Sequence, residues 1–303
     1  MKRRTFIKQT AAAGALISIG STGLMSFSEK KKKQITILHT NDVHSHIDPF
    51  PVDDANYPNL GGIARRYTLV ESIRKENPNT LLLDAGDIFQ GTPYFNFYGG
   101  ELEFKLMSKL KYDAATIGNH DFDNGIDGLF AQLPHAEFDF LSANYDFSNT
   151  VLDGHTRPYK VFTRDGIRIG IFGLGIELEG LVGKKLYKET LYLDPVGVAQ
   201  DVVAKLRHEE KCDLVICLSH LGYDYKGDRI SDTRLAALTK GIDLIIGGHT
   251  HTFLPKPTIA KNSEGKNLLI NQVGWAGINL GRIDFFLDEQ KNIEASGTSI
   301  IVG

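Results

Sequence analysis

Cysteine is nearly absent from this 303-residue chain: Cys212 and Cys217 are the only two. That scarcity excludes a disulfide-built scaffold. The pair sits five residues apart on one predicted strand, hence on opposite faces, and reads as two small buried apolar residues. Long apolar runs are also missing beyond residue 27, which excludes a later membrane-spanning helix. No cysteine closes the N-terminal apolar stretch, so a lipoprotein anchor is excluded too. Positive charge is scarce in the body. Residues 1–33 hold eight of the 34 Lys and Arg and one of the 37 Asp and Glu, leaving 26 against 36 and a formal charge of −10. Such a body is no electrostatic partner for nucleic acid. Part of the acidic excess is carboxylate that bound dications would offset. Internal repeats and interdomain linkers are absent as well, and roughly 270 residues suffice for one large core.

The segment Lys2-Arg3-Arg4-Thr5-Phe6-Ile7-Lys8 precedes an uncharged stretch of small and apolar residues at 11–27. This reads as an export signal. The arginine pair followed by Phe and Lys resembles the twin-arginine signals that carry folded proteins out of a bacterial cytoplasm, and places the protein in the periplasm. A plain secretory signal or an uncleaved anchor is the alternative, since no clear A-x-A cleavage site follows. Membrane contact would then run through this segment alone. Lys30 to Lys33 mark a solvated linker, so the expected division is a signal and linker at 1–33 and one domain at 34–303.

Within that domain, strands and helices alternate. Strands are expected at 35–39, 81–83, 112–117, 139–143, 159–163, 167–173, 214–218 and 244–246, with three more from residue 267 onward. Asp165-Gly166 is the turn of a hairpin. Helices are expected at 62–75, 101–111, 195–210 and 231–240. Asp194 caps the third of these, with Pro195 at its first position. The architecture that follows is an α/β/β/α sandwich, two mixed sheets with helices outside and a site along one edge.

Five of the strands end in metal-binding side chains: Asp42 and His44, Asp87, Asn119 with His120, His220, and His249 with His251. Ligands of open sheets gather at the carboxyl ends of strands. Asp42 and His44, alternate residues of an extended chain, can face one cation. Asp87 can offer one oxygen to each of two metals, as bridging carboxylates do for ions about 3.5 to 4 Å apart. Asn119, His220 and His249 complete a second set, and His251 returns to the first. Such mixed shells suit two divalent ions drawn from Mn, Zn, Fe or Co rather than Mg or Ca. A water bridging the ions ionises near neutral pH and attacks a phosphoester. His120 can protonate the leaving oxygen, with Asp123 fixing its tautomer. Taken singly, each Asp or Asn here is as ordinary as a turn former; the joint pattern carries the argument. His46 reads as a loop histidine near the site, His39 as a hydrogen-bonded core residue, and His135, His155 and His208 as surface or loop groups. Asp84 reads as a supporting carboxylate. Gly61-Gly62-Ile63-Ala64-Arg65-Arg66 can hold an anion at a helix N-terminus.

The runs Asn41-Asp42-Val43-His44, Gly86-Asp87, Gly118-Asn119-His120-Asp121-Phe122-Asp123, His220 and Gly247-Gly248-His249-Thr250-His251 resemble the five motifs of calcineurin-like metallophosphoesterases. The stretches Gly61-Gly62-Ile63-Ala64-Arg65-Arg66 and Asp84-Ala85-Gly86-Asp87 are similar to those of the 5'-nucleotidase branch. The resemblance covers residues 34–303. It implies Asp42, His44, Asp87 and His251 at one metal, Asp87, Asn119, His220 and His249 at the other, and His120 with Asp123 as the catalytic pair. It also implies release of phosphate from 5'-nucleotides. Full-length members carry a C-terminal domain that grips the nucleotide. A separate C-terminal-domain protein would supply that half here, or an open site would serve smaller or more varied phosphoesters. Phosphodiesters, nucleotide sugars, and the sulfur ester cleaved by a thiosulfate-oxidising relative are the alternative substrates. A binding-only subunit is disfavoured, because it has no need of Asn119, His120 and Asp123.

Overall fold

The computed structural model describes residues 32–303, so the export-signal reading of the N-terminus lies, as far as Lys31, outside the described residues. In chain order the elements are β1 (Lys33–Thr40), α1 (Ile63–Glu76), β2 (Thr80–Asp84), α2 (Pro93–Tyr98), α3 (Glu101–Lys109) and β3 (Ala114–Ala115). Next come α4 (Gly125–Gln132), β4 (Asp139–Phe140), β5 (Tyr145–Asp146), β6 (Tyr159–Arg164), β7 (Ile167–Leu174), α5 (Lys184–Tyr187), β8 (Leu191–Tyr192) and α6 (Pro195–His208). The chain closes with β9 (Leu214–Ser219), α7 (Asp232–Leu238), β10 (Leu244–Gly247), β11 (Thr258–Lys261), β12 (Asn267–Asn271), β13 (Asn279–Leu287) and β14 (Ile293–Ile301).

Two six-stranded sheets result, ordered β14-β13-β1-β2-β3-β4 and β11-β12-β10-β9-β7-β6. Successive side chains of a strand point to opposite faces, and the apolar runs use both. Ile35, Ile37, Leu81 and Leu83 meet Ile169, Ile171, Leu214, Ile216, Leu244 and Ile246 in a core between the sheets. Leu38 and Leu82 turn the other way, into a core with Val70 of α1, Phe104 of α3 and Leu129 of α4. On the second sheet, Phe172, Val215, Cys217 and Ile245 pack against Ala199 and Leu206 of α6 and Leu235 of α7. These three cores separate four layers, the expected α/β/β/α sandwich.

β1, β2 and β3 run parallel in one sheet, and β9 and β10 run parallel in the other. Their carboxyl ends open onto one edge. The β6–β7 hairpin turns through Asp165 (φ 48°) and Gly166 (φ 75°), the left-handed pair of a tight hairpin turn. Asp194 caps α6 by accepting from Val196 N at 3.2 Å and Gly197 N at 2.9 Å.

Several expectations need correction. β3 is two residues long, because after Thr116 the chain turns into the loop that carries Asn119. The last three strands do not close one sheet: β12 belongs to the second, β13 and β14 to the first. Helices α2 and α4 and strand β11 went unread, being short and without sustained periodicity. Cys212 lies ahead of β9 rather than on it, and both thiols are free in the same helix-facing core. At the Gly61 to Arg66 segment the chain's own carbonyls occupy two of the amides. Gly61 N donates to Val302 O at 2.7 Å and Ile63 N to Ile47 O at 2.8 Å, and Arg66 turns inward.

Candidate metal centre

The loops after β1 and β2 run side by side, with Asp42 N donating to Gly86 O (2.9 Å) and His44 N to Asp87 O (3.1 Å). Asp42, His44, Asp87, His249 and His251 all have positive φ, between 50° and 71°. That conformation is unfavourable for residues with a Cβ, and its repetition at one edge marks a place where position outweighs backbone comfort. It also corrects the reasoning from extended chain. Asp42 and His44 converge because a left-handed turn brings them together, not because alternate strand residues share a face.

Two groups of donor atoms form. Asp42, His44 and His251 place one ligand atom each within 4.8 Å of one another, and so do Asp87, His220 and His249. In the first, His44 Nε2 lies 3.0 Å from His251 Nε2, and His251 Nε2 lies 3.4 Å from Asp42 Oδ1. In the second, Asp87 Oδ2 is 3.1 Å from His220 Nε2, while His249 Nδ1 is 2.7 Å from Asn119 Oδ1. Asp87 Oδ2 is also 3.8 Å from His44 Nε2, so this one carboxylate stands between the groups. His120 Nδ1 meets Asp123 Oδ2 at 2.9 Å, and their side chains are 39% and 29% exposed, against 1% or less for Asp42, Asp87 and His220. Asp42, Asp87 and His220 thus form the buried floor of the site, and His120 and Asp123 lie at its solvent side together with His251, itself 39% exposed.

The electrostatics suit a cation site. Burial opposes the charge on His220, but the Asp87 carboxylate raises its pKa to about 10, so the imidazole carries a proton that a bound cation would replace. Burial likewise works against Asp87, yet His220, His44 and His120 hold its pKa below the ordinary range. Burial pushes His249 down to about 4 and lowers His44, keeping both imidazoles neutral and able to ligate. The Asp123 hydrogen bond leads the causes that raise His120, the direction a proton donor needs. Imidazole nitrogens and carboxylate oxygens gathered within 4.8 Å in each of two groups are a donor set that fits divalent metal.

Sequence reasoning passed over Asp121 as anything but part of a motif. Its buried carboxylate accepts from Asp87 N (3.1 Å), Ile88 N (2.9 Å), Phe89 N (3.2 Å) and Gly118 N (2.8 Å), stitching the β2 loop to the β3 loop. Burial and the Asp87 charge raise its pKa to about 7. Asp84, read as a supporting carboxylate, accepts from Thr40 Oγ1 (2.6 Å) and Gly86 N (2.9 Å). Asp232, also unsought, takes the Ser219 hydroxyl at 2.5 Å behind His220. His39 bonds Asn271 Nδ2 at 2.9 Å in the core, and His46 lies in the loop beside Trp275. Trp275 also stacks on His251, with ring centroids 5.8 Å apart and planes 3° apart. A cavity of about 750 Å³ lies along α6 at Arg207 and Lys240 and contains none of these ligands.

Comparison with known proteins agrees with this geometry. The sequence model of the calcineurin-like phosphoesterases matches residues 35–253. A snake venom 5'-nucleotidase of Crotalus adamanteus is 34% identical over 291 residues, covering 89% of this chain and 48% of that protein. The trifunctional nucleotide phosphoesterase YfkN of Bacillus subtilis is 33% identical over 300 residues, 88% of this chain and 19% of its own. The crystal structure of a 5'-nucleotidase precursor from Thermus thermophilus superposes with a TM-score of 0.80 at 34% identity, over 89% of this chain and 54% of that one. The chain spans about half the length of the 5'-nucleotidases it matches. With two clusters of metal-ligand type at the carboxyl ends of parallel strands and a family match across most of its folded body, the chain belongs to the calcineurin-like phosphoesterases.

Proposed function

We propose that this chain is a dinuclear metal-dependent phosphohydrolase that releases phosphate from 5'-nucleotides. The observation that carries the reading is Asp87 standing between two donor groups while His120 and Asp123 face solvent beside them. Asp42, His44, Asp87 and His251 would hold one divalent ion, and Asp87, Asn119, His220 and His249 the other. Bound there, the ions would supply an ionised water near neutral pH and neutralise phosphoryl charge. The protein's own part is positional. Asp121 and Asp84 fix the loop that carries Asp87. The His249 N–H holds Asp42 at 2.9 and 3.0 Å, tying the second sheet's loop to the first's. His120, close enough to His44 for a 5.2 Å ring contact, protonates the departing oxygen while Asp123 holds its other nitrogen.

The 5'-nucleotidase names of the relatives favour nucleotides over other phosphoesters. The test is phosphate release by the purified chain, stripped with chelator and then given Mn or Zn, from a panel of 5'-nucleotides with a bis-aryl phosphodiester alongside. Metal-dependent release from nucleotides supports the reading, and means that this chain suffices. Diester turnover without nucleotide turnover would mean an open-site phosphodiesterase, or a catalytic half that takes nucleotide recognition from a separate C-terminal-domain protein. No metal-dependent turnover of either would overturn it.

Export by the twin-arginine route belongs to the same proposal and rests on Arg3 and Arg4. Changing both to Lys should leave the protein in the cytoplasmic fraction. Unchanged delivery to the periplasm would count against that route. No helix among the described residues is long and apolar enough to cross a membrane.

A further inference from the structure

Among the described residues, twelve buried side-chain polar atoms lack a hydrogen-bond partner, and the residues bearing five of them line a single cavity. The five are Ser45 Oγ, His46 Nε2, Arg66 Nε and both carboxylate oxygens of Glu103. Arg66, in the first turn of α1, is 2% exposed, and Glu103, in the first turn of α3, is 4% exposed. A guanidinium Nε and a whole carboxylate buried without partners are costly, and such groups are normally paired or hydrated. The cavity between them is about 20 Å³, room for one water, which needs two to four polar partners. Those partners are present in complementary kinds: donors on Arg66 and Ser45, acceptors on Glu103, and an imidazole nitrogen able to act as either.

We propose that one buried water bridges Arg66 to Glu103 in this cavity, and that the bridged pair is a positioning element for the metal-bearing loops. Ser45 and His46 directly follow His44, so the water's remaining bonds hold the back of that loop. Asp84 lines the same cavity and accepts from Gly86 N at 2.9 Å, one residue before Asp87. On its other side the guanidinium lies where a Cβ on Gly277 would overlap Nη1. The neighbouring Ala276 N donates to Asp42 O at 2.8 Å. Two of the segments that carry candidate ligands, the one with Asp42 and His44 and the one with Asp87, thus rest on this pair.

The inference rests on the metal reading above, and its test separates the two. Mn²⁺ is titrated by calorimetry into the wild type, Glu103→Leu, and the double variant Arg66→Met with Glu103→Leu, with melting temperatures measured in parallel. The single change should lower the melting temperature by stranding the guanidinium. The double change should recover most of that loss, since a buried ion pair is replaced by apolar groups. It should nonetheless weaken one of the two Mn²⁺ ions about 10- to 100-fold, as loss of outer-shell support does. Recovered stability with wild-type affinity for both ions overturns the proposal. Should the double variant not fold, Glu103→Gln is compared with Glu103→Leu: Gln keeps an acceptor for the water and should retain near wild-type Mn²⁺ affinity where Leu loses it, and equal affinity in the two variants overturns the proposal. A wild type that takes up no Mn²⁺ overturns the metal reading and this inference with it. Wild-type uptake with unaltered variants overturns the inference alone.

Discussion

Asp87 is where charge, backbone strain and position coincide. It is buried, sits at φ 56°, receives His120 N at 2.7 Å on one oxygen and faces His220 with the other. Replacing one oxygen by an amide keeps the volume and removes the charge. Asp87→Asn should therefore lose both metals by elemental analysis, and turnover should fall nearly to zero. His120→Asn makes the complementary prediction, because His120 lies outside both donor groups. Metal content should stay at two per chain while the rate drops about 10² to 10⁴. A near-normal rate in that variant would remove His120 from the proposed role. The ligand-type residues were legible in the sequence because each follows an apolar run. What brings them together was not, since left-handed φ at Asp42, His44, His249 and His251 has no glycine to announce it. Asp121 was harder still: its work is done on backbone amides, which leave no sequence pattern.

At the scale of elements, the apolar strands and the Asp194-Pro195 helix start could be read because burial and capping impose periods and fixed offsets. The loops obey closer limits. A Cβ at Gly118 would overlap Asp87 Oδ1, although nothing in that residue's φ requires glycine. Gly118→Ala should consequently displace the carboxylate, weakening metal binding by more than ten-fold in a Mn²⁺ titration. Wild-type binding would show that the loop can yield. Helix α3 shows a limit of a different kind. Its apolar Leu102 and Leu106 are only partly buried, while Glu103 is buried. No hydropathy period marks a carboxylate as interior. Strand β1 carries a testable titration at His39, whose complete burial lowers its pKa from 6.5 to about 3. The unfolded chain binds this proton and the folded one refuses it. Stability is therefore retained above pH 6.5 and lost as pH falls from there towards 3, by about 1.4 kcal/mol per pH unit. Urea unfolding of the wild type should show that extra slope over His39→Gln across pH 6 to 4. Parallel slopes would mean that the folded core accepts the proton.

For the molecule as a whole, the formal charge of −10 on residues 34–303 includes Asp42 and Asp87, which lie almost without exposure where two sheets meet. The sandwich follows from the alternation of elements, but which sheet takes which late strand did not, because pairing across the interface is set by packing rather than by any local signal. That interface gives metal a structural consequence. The first donor group draws Asp42 and His44 from one sheet and His251 from the other; the second joins Asp87 to His220 and His249 in the same way. Ions bound there must cross-link the sheets, and only the folded chain assembles their ligands. Mass action then stabilises the fold by about 2.7 kcal/mol at 100 times the dissociation constant. For a chain of this size that corresponds to a melting temperature about 5 to 10 °C higher than after chelation. The shift should be recovered on adding Mn²⁺ and be absent in Asp87→Asn. A chelated protein that melts at the same temperature as the Mn²⁺-loaded one would mean that hydrogen bonds such as Asp42–His249 and His220–Ala85 hold the two sheets at this edge without help from metal.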